Sequence, residues 1–295
     1  MTSSIPRSRS IQGAGVGLRT PHLPLILEQQ PDIPWFELLA DNWLAEGGLD
    51  KRLLHQIAER YPITLHGVNL SLGSLDPLNL EYLAKIKRLK QETQATWYSE
   101  HCSFSSFDGQ RTPDLLPMPH TEEAIQHLVD RIHQVQDFLQ ERILIENISS
   151  YVACNYSEHS EAEFIAETLK RSDCDLLLDI NNLYVNSINN GFDCHAYLQQ
   201  LPIDRVKQVH LSGHQQNDGF LLDTHGSQIN KQVWQLYQDF LELAGPIPTL
   251  IEWDHDVPEW SKLESERLLA CQFLDTQQVK KNRANDKAAI KEISA

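Results

Sequence analysis

The sequence is poor in several features that mark whole classes of protein. Its five cysteines are an odd number with no Cys-x-x-Cys pair, which argues against a disulfide framework and a zinc knuckle. No apolar run approaches the roughly 20 residues that a membrane span requires. Basic residues are scarce: 25 lysines and arginines stand against 41 acidic residues, giving a net charge of −16. Phosphate neutralisation supplies most nucleic-acid affinity, so this balance disfavours nucleic acid as the partner.

The N-terminal segment does not have the pattern of a secretory signal. Residues 1–12 contain two arginines with no apolar stretch after them, so we expect a disordered lead rather than a secretory signal. We expect one domain over residues 13–275 and a charged helical or disordered tail over 276–295. No Gly-x-Gly-x-x-Gly motif follows the first apolar run, which argues against dinucleotide binding. A reducing, cytoplasmic setting without membrane contact fits these features.

Eight short apolar runs alternate with segments of helical periodicity. The runs are AGVGLR (14–19), WFELLADN (35–42), ITLHGV (63–68), TWYSEH (96–101), RILIEN (142–147), DLLLDINN (175–182), VKQVHLSG (206–213) and TLIEWD (249–254). Strands that alternate with helices of this length indicate βαβ units and a parallel sheet. Eight such units in succession predict an α/β fold closed into a (β/α)8 TIM barrel.

Most of these runs end in a side chain that binds metals. The strand-end candidates are His66, His101, Glu146, Asp179, Asn182, His210 and Glu252, and a DTHG segment adds Asp223 and His225 on the same side of an extended stretch. A TIM barrel gathers the C-terminal ends of its strands at one mouth. Charges that interrupt buried strands are costly unless they are paired or coordinate a metal. The pattern therefore predicts a multinuclear metal site.

Four further side chains are candidates to support these ligands. Glu100 precedes His101, and adjacent strand residues point to opposite faces, so only His101 is predicted as the ligand. Asn147 follows Glu146, and His214 and His22 lie near strand ends. No other catalytic side chain is predicted.

The donor set also limits the metals. Nine nitrogen and oxygen donors, with Glu146 and Asp179 shared, suffice for two or three ions and include no cysteine. Iron, manganese and zinc all suit such donors. Segments 102–121 and 183–195 are predicted as long loops that overhang the mouth and form a substrate groove.

Eight motifs in order resemble one enzyme family. GVGLRTPH, HGVNLSLG, SEHCSF, LIENISSY, LDINNLYVN, VHLSGH, DTHG and IEWD, between about residues 13 and 270, are similar to those of the multinuclear non-heme iron-dependent oxidative enzymes. That family includes the iron subunit of the methanobactin biosynthetic oxidase. The resemblance implies a xylose-isomerase-like TIM barrel that holds two or three Fe(II)/Fe(III) ions.

The resemblance also implies ligand sets and an activity. His66, His101 and Glu146 resemble the ligands of one iron. Glu146, Asp179, His210 and Glu252 resemble the set around a central iron, and Asn182, Asp223 and His225 match a third site. Family members use O2 to oxidise cysteines of ribosomally made precursor peptides, in peptide natural-product biosynthesis. Many work with a small partner protein that presents the precursor.

Three other functions remain open on the same barrel. The ligand pattern also resembles that of three-zinc apurinic endonucleases, but these have histidine at the position of Asn182 and need a basic surface. Sugar isomerases have a smaller, two-metal site. A non-enzymatic metal-binding scaffold is the third alternative, and metal-dependent consumption of O2 would separate it from an oxidase.

Overall fold

The computed structural model describes residues 10–152 and 154–293 of the chain, and its strands agree with the eight apolar runs. The strands within these residues are β1 (Ala14–Gly17), β2 (Phe36–Leu39), β3 (Ile63–Gly67), β4 (Tyr98–His101), β5 (Phe104–Phe107), β6 (Gln110–Leu116), β7 (Leu144–Glu146), β8 (Asp175–Asp179), β9 (Val206–Leu211), β10 (His214–Asn217), β11 (Phe220–Asp223) and β12 (Thr249–Ile251). Each apolar run contains one barrel strand, and the other four strands form two hairpins.

The eight barrel strands are all parallel and close on themselves in the order β1-β12-β9-β8-β7-β4-β3-β2. This confirms the predicted TIM barrel. Parallel pairing sends every C-terminal strand end to one mouth, where the candidate ligands were predicted.

Helices surround the barrel. Within the described residues they are α1 (Leu23–Gln29), α2 (Leu49–Ala58), α3 (Leu80–Thr93), α4 (Glu122–Leu139), α5 (Glu161–Ser172), α6 (Ile180–Asn190), α7 (Cys194–Gln200), α8 (Lys231–Ala244) and α9 (Trp260–Ile293). Their starts are encoded locally: Thr121 and Asn230 cap α4 and α8, and Ser160 forms a capping box with Glu163 at α5. None of the described helices is long and apolar enough to cross a membrane.

The predicted ends of the chain fall only partly within the structure. Residues 1–9 of the expected lead lie outside the described residues, and residues 276–293 of the expected tail continue α9. The domain limits themselves stay a prediction. All five cysteines are unpaired thiols, which agrees with the absence of a predicted disulfide framework.

The two segments predicted as loops over the mouth are structured. Segment 102–121 contains the antiparallel β5–β6 hairpin. The prediction of a loop over 183–195 is wrong, because most of it belongs to α6. The Asp179 side chain accepts a hydrogen bond from the Asn182 amide and so starts this helix, although its asparagine-rich sequence is a poor helix former. A second hairpin, β10–β11, precedes the DTHG segment.

Side chains inside the barrel form three layers. The N-terminal end is closed by Trp35 and Leu250, with Trp97 packed against them. Above them lies a polar layer in which Glu37 contacts Thr64 and Gln208. The third layer, at the mouth, holds the predicted metal ligands. TIM-barrel interiors are dominated by branched apolar side chains, so both polar layers require an explanation.

Candidate metal centre

The strand register places the predicted ligands side by side. His101 of β4 lies beside Glu146 of β7, and Asp179 of β8 lies beside His210 of β9. Glu252 follows β12 directly, and the amide of Glu252 donates to Leu211 at the end of β9. Residues that are up to 186 positions apart in the chain are thereby brought into three groups of donor atoms close enough to share ions.

The first group comprises His66, His101 and Glu146. The Nε2 atoms of the two histidines are 3.3 Å apart. Glu146 Oε2 lies 3.1 Å from His66 Nε2 and 3.2 Å from His101 Nε2. The Nδ1 atoms have other partners. His66 Nδ1 lies 2.8 Å from Ser99 Oγ, and His101 Nδ1 lies 3.1 Å from the Gly67 carbonyl oxygen. Donors that bind one ion at about 2.1 Å lie roughly 3.0–3.4 Å apart. The three atoms therefore have the spacing of ligands to a single ion.

The second group comprises Glu146, Asp179, His210 and Glu252, all buried. His210 Nδ1 lies 3.1 Å from Glu146 Oε1 and 3.0 Å from Glu252 Oε2. Glu146 therefore directs one oxygen to each of the first two groups, as a bridging carboxylate would. Asp179 Oδ1 accepts from the Asn182 amide, which leaves Oδ2 for the group.

The third group is centred on His225. Its Nε2 lies 2.8 Å from Asp223 Oδ1, while its Nδ1 lies 3.2 Å from Asp254 Oδ2 and 3.3 Å from Glu252 Oε2. Nδ1 makes a hydrogen bond to Asp254, and Nε2 makes none. Asp254 is also paired with Arg19. These contacts favour Asp254 as the carboxylate that orients the ring and Asp223 as the donor that shares an ion with His225, although His225, Glu252 and Asp254 also lie close enough to share one.

The backbone of His225 is unusual. The prediction of an extended segment is wrong at this residue, which has φ of 47°, in the left-handed region. Its amide donates to the Gly213 carbonyl, and its carbonyl accepts from the Asp254 amide. Non-glycine residues in this region store strain that the surrounding structure must compensate, and they cluster at ligand sites. These two backbone hydrogen bonds hold the His225 ring over the mouth.

Unsatisfied polar atoms mark the same place. Several buried donor and acceptor atoms here make no hydrogen bond: Glu146 Oε2, Asp179 Oδ2, Asn182 Oδ1, His210 Nδ1, His225 Nε2 and Glu252 Oε2. Buried polar atoms are nearly always satisfied, so such a concentration calls for a bound group. All six atoms are of the types that ligate divalent metals. The residues present therefore fit a multinuclear metal centre.

The pKa shifts of the candidate ligands indicate that the donor groups lack compensating positive charge. Burial raises the pKa of Asp179 well above its ordinary value, with Glu146 and Asp223 adding to the effect. Burial opposes ionisation of Glu146 too, but His66, His210 and His101 hold its pKa well below the ordinary value. Burial would lower the pKa of His66, yet Glu146 raises it to about 9, whereas burial lowers that of His101 to about 4.

Two of the four predicted supporting residues are connected to the candidate ligands, one directly and one through a third side chain. Asn147 donates to the Asp179 carbonyl and accepts from the Asp179 amide, both at 2.9 Å. His214 is linked to Asp223 through Asn181, whose amide group contacts both.

The other two predicted supporting residues lie apart from the donor groups. Glu100 lies on the opposite face of β4 from His101, against the Tyr98 hydroxyl, and burial raises its pKa to about 8. His22 contacts the Pro258 carbonyl and the Trp260 ring.

Sequence reasoning missed three residues of this region. Glu37, Arg19 and Asp254 are absent from the predicted set, although each lies within one of the eight apolar runs. Glu37 is 2% exposed and contacts His210 Nε2 at 2.8 Å. Like the predicted ligands, Glu37 is a charged residue inside a buried strand. The same sequence pattern therefore marks it.

A cleft of about 420 Å³ opens above the donor groups. His66, His101, Asn182, His225 and Glu252 form its base, while both hairpins contribute to its rim, with Asp114 and Leu115 from one and Leu222 and Asp223 from the other. Tyr151 also lines it, and its hydroxyl accepts from the Asp223 amide at 2.8 Å. The donor groups are therefore accessible from solution.

Comparison with known proteins identifies the family. The model for the RiPP precursor modification enzyme family MbnB/TglH/ChrH, where RiPP denotes a ribosomally synthesised and post-translationally modified peptide, matches residues 13–275. The chain belongs to this family. It is 50% identical to a UPF0276 protein of Acaryochloris marina over 265 residues, 90% of this chain and 96% of that protein. A UPF0276 protein of Vibrio parahaemolyticus is 44% identical over 248 residues, 83% and 86% of the two chains. The family indicated by the motifs is thereby confirmed.

Solved structures share the barrel of this family member. D-psicose 3-epimerase from Clostridium cellulolyticum aligns with a TM-score of 0.59 at 11% identity, over 90% of this chain and 99% of that one. Endonuclease IV from Thermus thermophilus aligns with a TM-score of 0.57 at 13% identity, with the same coverage. At these identities the likeness shows the fold alone, a xylose-isomerase-like TIM barrel. The family implies a metal-dependent enzyme that acts on a precursor peptide.

Proposed function

We propose that this protein is a multinuclear non-heme iron enzyme that uses O2 to oxidise cysteine residues of a ribosomally synthesised precursor peptide. One observation carries the proposal: three donor groups form a continuous array, because Glu146 joins the first to the second and Glu252 lies between the second and the third. An isolated ion would need only one such group. The array supports two or three adjacent ions, as the family membership leads us to expect.

The proposed ligands are all nitrogen or oxygen donors. His66, His101 and Glu146 would hold one ion, and Glu146, Asp179, His210 and Glu252 a second. Asn182, Asp223 and His225 would hold a third, since the Asn182 oxygen and His225 Nε2 lack hydrogen bonds. Iron bound there would supply the redox chemistry and Lewis acidity that side chains lack. Manganese and zinc suit the same donors, so the choice of iron rests on the resemblance described above.

The chain's own residues would orient the substrate and limit access of water. The two hairpins form walls of the cleft, and we propose that it accepts an extended peptide segment. Tyr151 and Ser149 hold Asp223 from above, with the Ser149 hydroxyl donating to Asp223 Oδ2 at 3.1 Å. We propose that a cysteine of the precursor enters this cleft with its thiolate directed at the array. The precursor would be presented by a small partner protein.

Reconstitution with a precursor peptide tests this function. The protein is purified without oxygen, loaded with Fe(II), and mixed with a cysteine-containing precursor encoded beside its gene and with its partner protein. We expect O2 consumption and a mass change confined to cysteine-containing fragments. Protein loaded with zinc, which has no redox chemistry, is the matched control. Equal modification by both preparations would contradict an oxidative role and favour hydrolysis. Bound metal without any turnover of O2 would favour a scaffold.

A further inference from the structure

The polar layer beneath the candidate ligands has no role in the function proposed above. It is built around Glu37, whose carboxylate is 2% exposed and lies in the middle of the barrel. Glu37 Oε2 accepts from the Thr64 hydroxyl at 2.9 Å and from Gln208 Nε2 at 2.6 Å. A buried carboxylate is costly, so its position calls for a compensating partner.

That partner is the ring of His210. Glu37 Oε1 lies 2.8 Å from His210 Nε2, on the side of the ring that faces away from the mouth. If Nε2 carried no proton, its lone pair would face a carboxylate at this distance inside the barrel. The proton therefore resides on Nε2 and is donated to Glu37, a charge-assisted hydrogen bond. Gln208 Nε2 also lies 2.8 Å from His210 Nε2, and it donates one of its two N–H groups to Glu37 Oε2.

The orientation of Gln208 is itself fixed. Its Oε1 accepts from the Trp97 indole nitrogen at 2.7 Å, so its amide nitrogen must face Glu37. The two oxygens of Glu37 thus have separate tasks: Oε2 receives the Gln208 and Thr64 donors, while Oε1 receives His210. His210 Nδ1 points between Glu146 and Glu252, 3.1 Å from Oε1 of the first and 3.0 Å from Oε2 of the second. An ion bound there would take the lone pair of Nδ1, which requires the remaining ring proton to lie on Nε2, toward Glu37.

A second histidine of the array has a carboxylate behind it as well, with one difference. His225 contacts Asp254, but Asp254 is also paired with Arg19. Among the residues that the structure describes, Glu37 has no ion pair with a lysine or arginine. Its close ion-pair contact is with His210. Carboxylates behind metal-bound histidines orient the ring and raise the basicity of the ligating nitrogen.

We infer that Glu37 is a positioning residue for the central ion: it holds the proton of His210 on Nε2 and so keeps Nδ1 available between Glu146 and Glu252. This inference rests on the proposed metal centre but on neither iron nor O2 chemistry. It also explains why the polar layer contains a carboxylate, with two acceptor oxygens, at position 37. An amide at position 37 has one acceptor oxygen, which can serve either the Gln208 and Thr64 donors or His210, but not both groups.

Cobalt titration of metal-free protein tests the role of Glu37, with visible d–d absorption as the spectroscopic readout. In Glu37→Gln we expect one equivalent of Co²⁺ to bind about 10- to 100-fold more weakly and to lose its spectral contribution, while the other equivalents are unchanged. Thr64→Val is the matched control, because it removes one hydrogen bond to Glu37 and keeps its charge. We expect its affinities to stay within about threefold of the wild type.

The relative cobalt affinities of Glu37→Asp and Glu37→Gln distinguish a positioning role of Glu37 from a packing role. Glu37→Asp keeps the charge and loses volume, whereas Glu37→Gln keeps the volume and loses the charge. A positioning role predicts tighter cobalt binding by the aspartate variant. Tighter binding by the glutamine variant, or an equal loss of every equivalent together with a lower melting temperature of the metal-free protein, would overturn the inference. A wild-type protein that binds no cobalt would overturn the metal centre itself, whereas cobalt binding without O2 chemistry would refute only the oxidative function.

Discussion

The proposed metal centre has a strand-borne part and a loop-borne part, and the two are held differently. His66, His101, Glu146, Asp179 and His210 lie on barrel strands, where neighbouring strands fix the backbone. The loop-borne part lies outside the barrel: Asp223 ends β11 of the β10–β11 hairpin, and His225 follows it in a left-handed conformation. Both residues remain partly exposed. The strand-borne donors are thus set by the fold, whereas the loop-borne donors depend on local contacts with Arg19, Ser149 and Tyr151.

This difference indicates that the two parts bind their ions with different affinity. Sites on rigid elements hold ligand geometry closely, and loops tolerate adjustment. We expect the strand-borne groups to bind their ions most tightly and the loop-borne group to exchange its ion more readily.

Glu146→Gln should have the largest effect. It removes the charge of the carboxylate shared by the first and second groups. We expect the loss of two ions per chain and a fall in turnover of more than about 10³-fold, since both ions lose an anionic ligand. Elemental analysis and O2 consumption measure the two effects. Glu81→Gln, an exposed glutamate on α3, is the control. Full metal content in Glu146→Gln would refute the shared carboxylate.

Asp223→Asn should affect the loop-borne part only. The amide can still accept from Asn181, so the local hydrogen bond is retained while the anionic donor beside His225 Nε2 is lost. We expect one ion to bind more than about 10-fold more weakly and the strand-borne ions to be unaffected. Cobalt titration measures this. Loss of every ion in this variant would show that the two parts are not separable.

Asn147→Ala should destabilise the strand-borne part through the backbone. The Asn147 side chain makes paired hydrogen bonds to the amide and carbonyl of Asp179, both buried. Their removal leaves two unsatisfied backbone groups, at a cost of about 2–4 kcal/mol. Urea unfolding of the metal-free protein measures the change. Asn181→Ala, which removes a contact to loop-borne Asp223, should cost less, and the reverse order would contradict the contrast.

One contribution to the pH dependence of stability, from Glu161 outside both parts, should be smaller still. Burial raises the pKa of Glu161, the first residue of α5, to about 7. Between pH 4.5 and 7 the folded state therefore holds this proton more firmly than the unfolded chain, so stability falls as pH rises through this window. In Glu161→Gln the fall should be smaller by about 1–3 kcal/mol. Urea unfolding of metal-free protein at pH 5 and pH 8 compares the two. An unchanged slope would contradict the prediction.

The strand-borne part was predictable from the sequence and the loop-borne part only partly. A metal-binding residue at the end of a buried strand has its position fixed by barrel closure, so His66, His101, Glu146, Asp179 and His210 were placed correctly relative to one another. The conformation of His225 depends on contacts with Gly213 and Asp254, which no local pattern records.

Two other features of the structure were not predicted. α6 was mistaken for a loop because its start depends on Asp179 acting as a cap, a role that overrides the low helix propensity of its asparagines. Glu37 was not predicted, although it is a charge inside a buried strand, because it lies within β2 and not at its C-terminal end.

The metal content of protein purified without oxygen is the most direct test of a multinuclear iron centre. Elemental analysis gives the ions per chain, and Mössbauer spectra of an iron-57 sample give their oxidation states and coupling. We expect two or three irons per chain, partly ferrous and magnetically coupled. Zinc alone after growth in excess iron, or no bound metal, would contradict it.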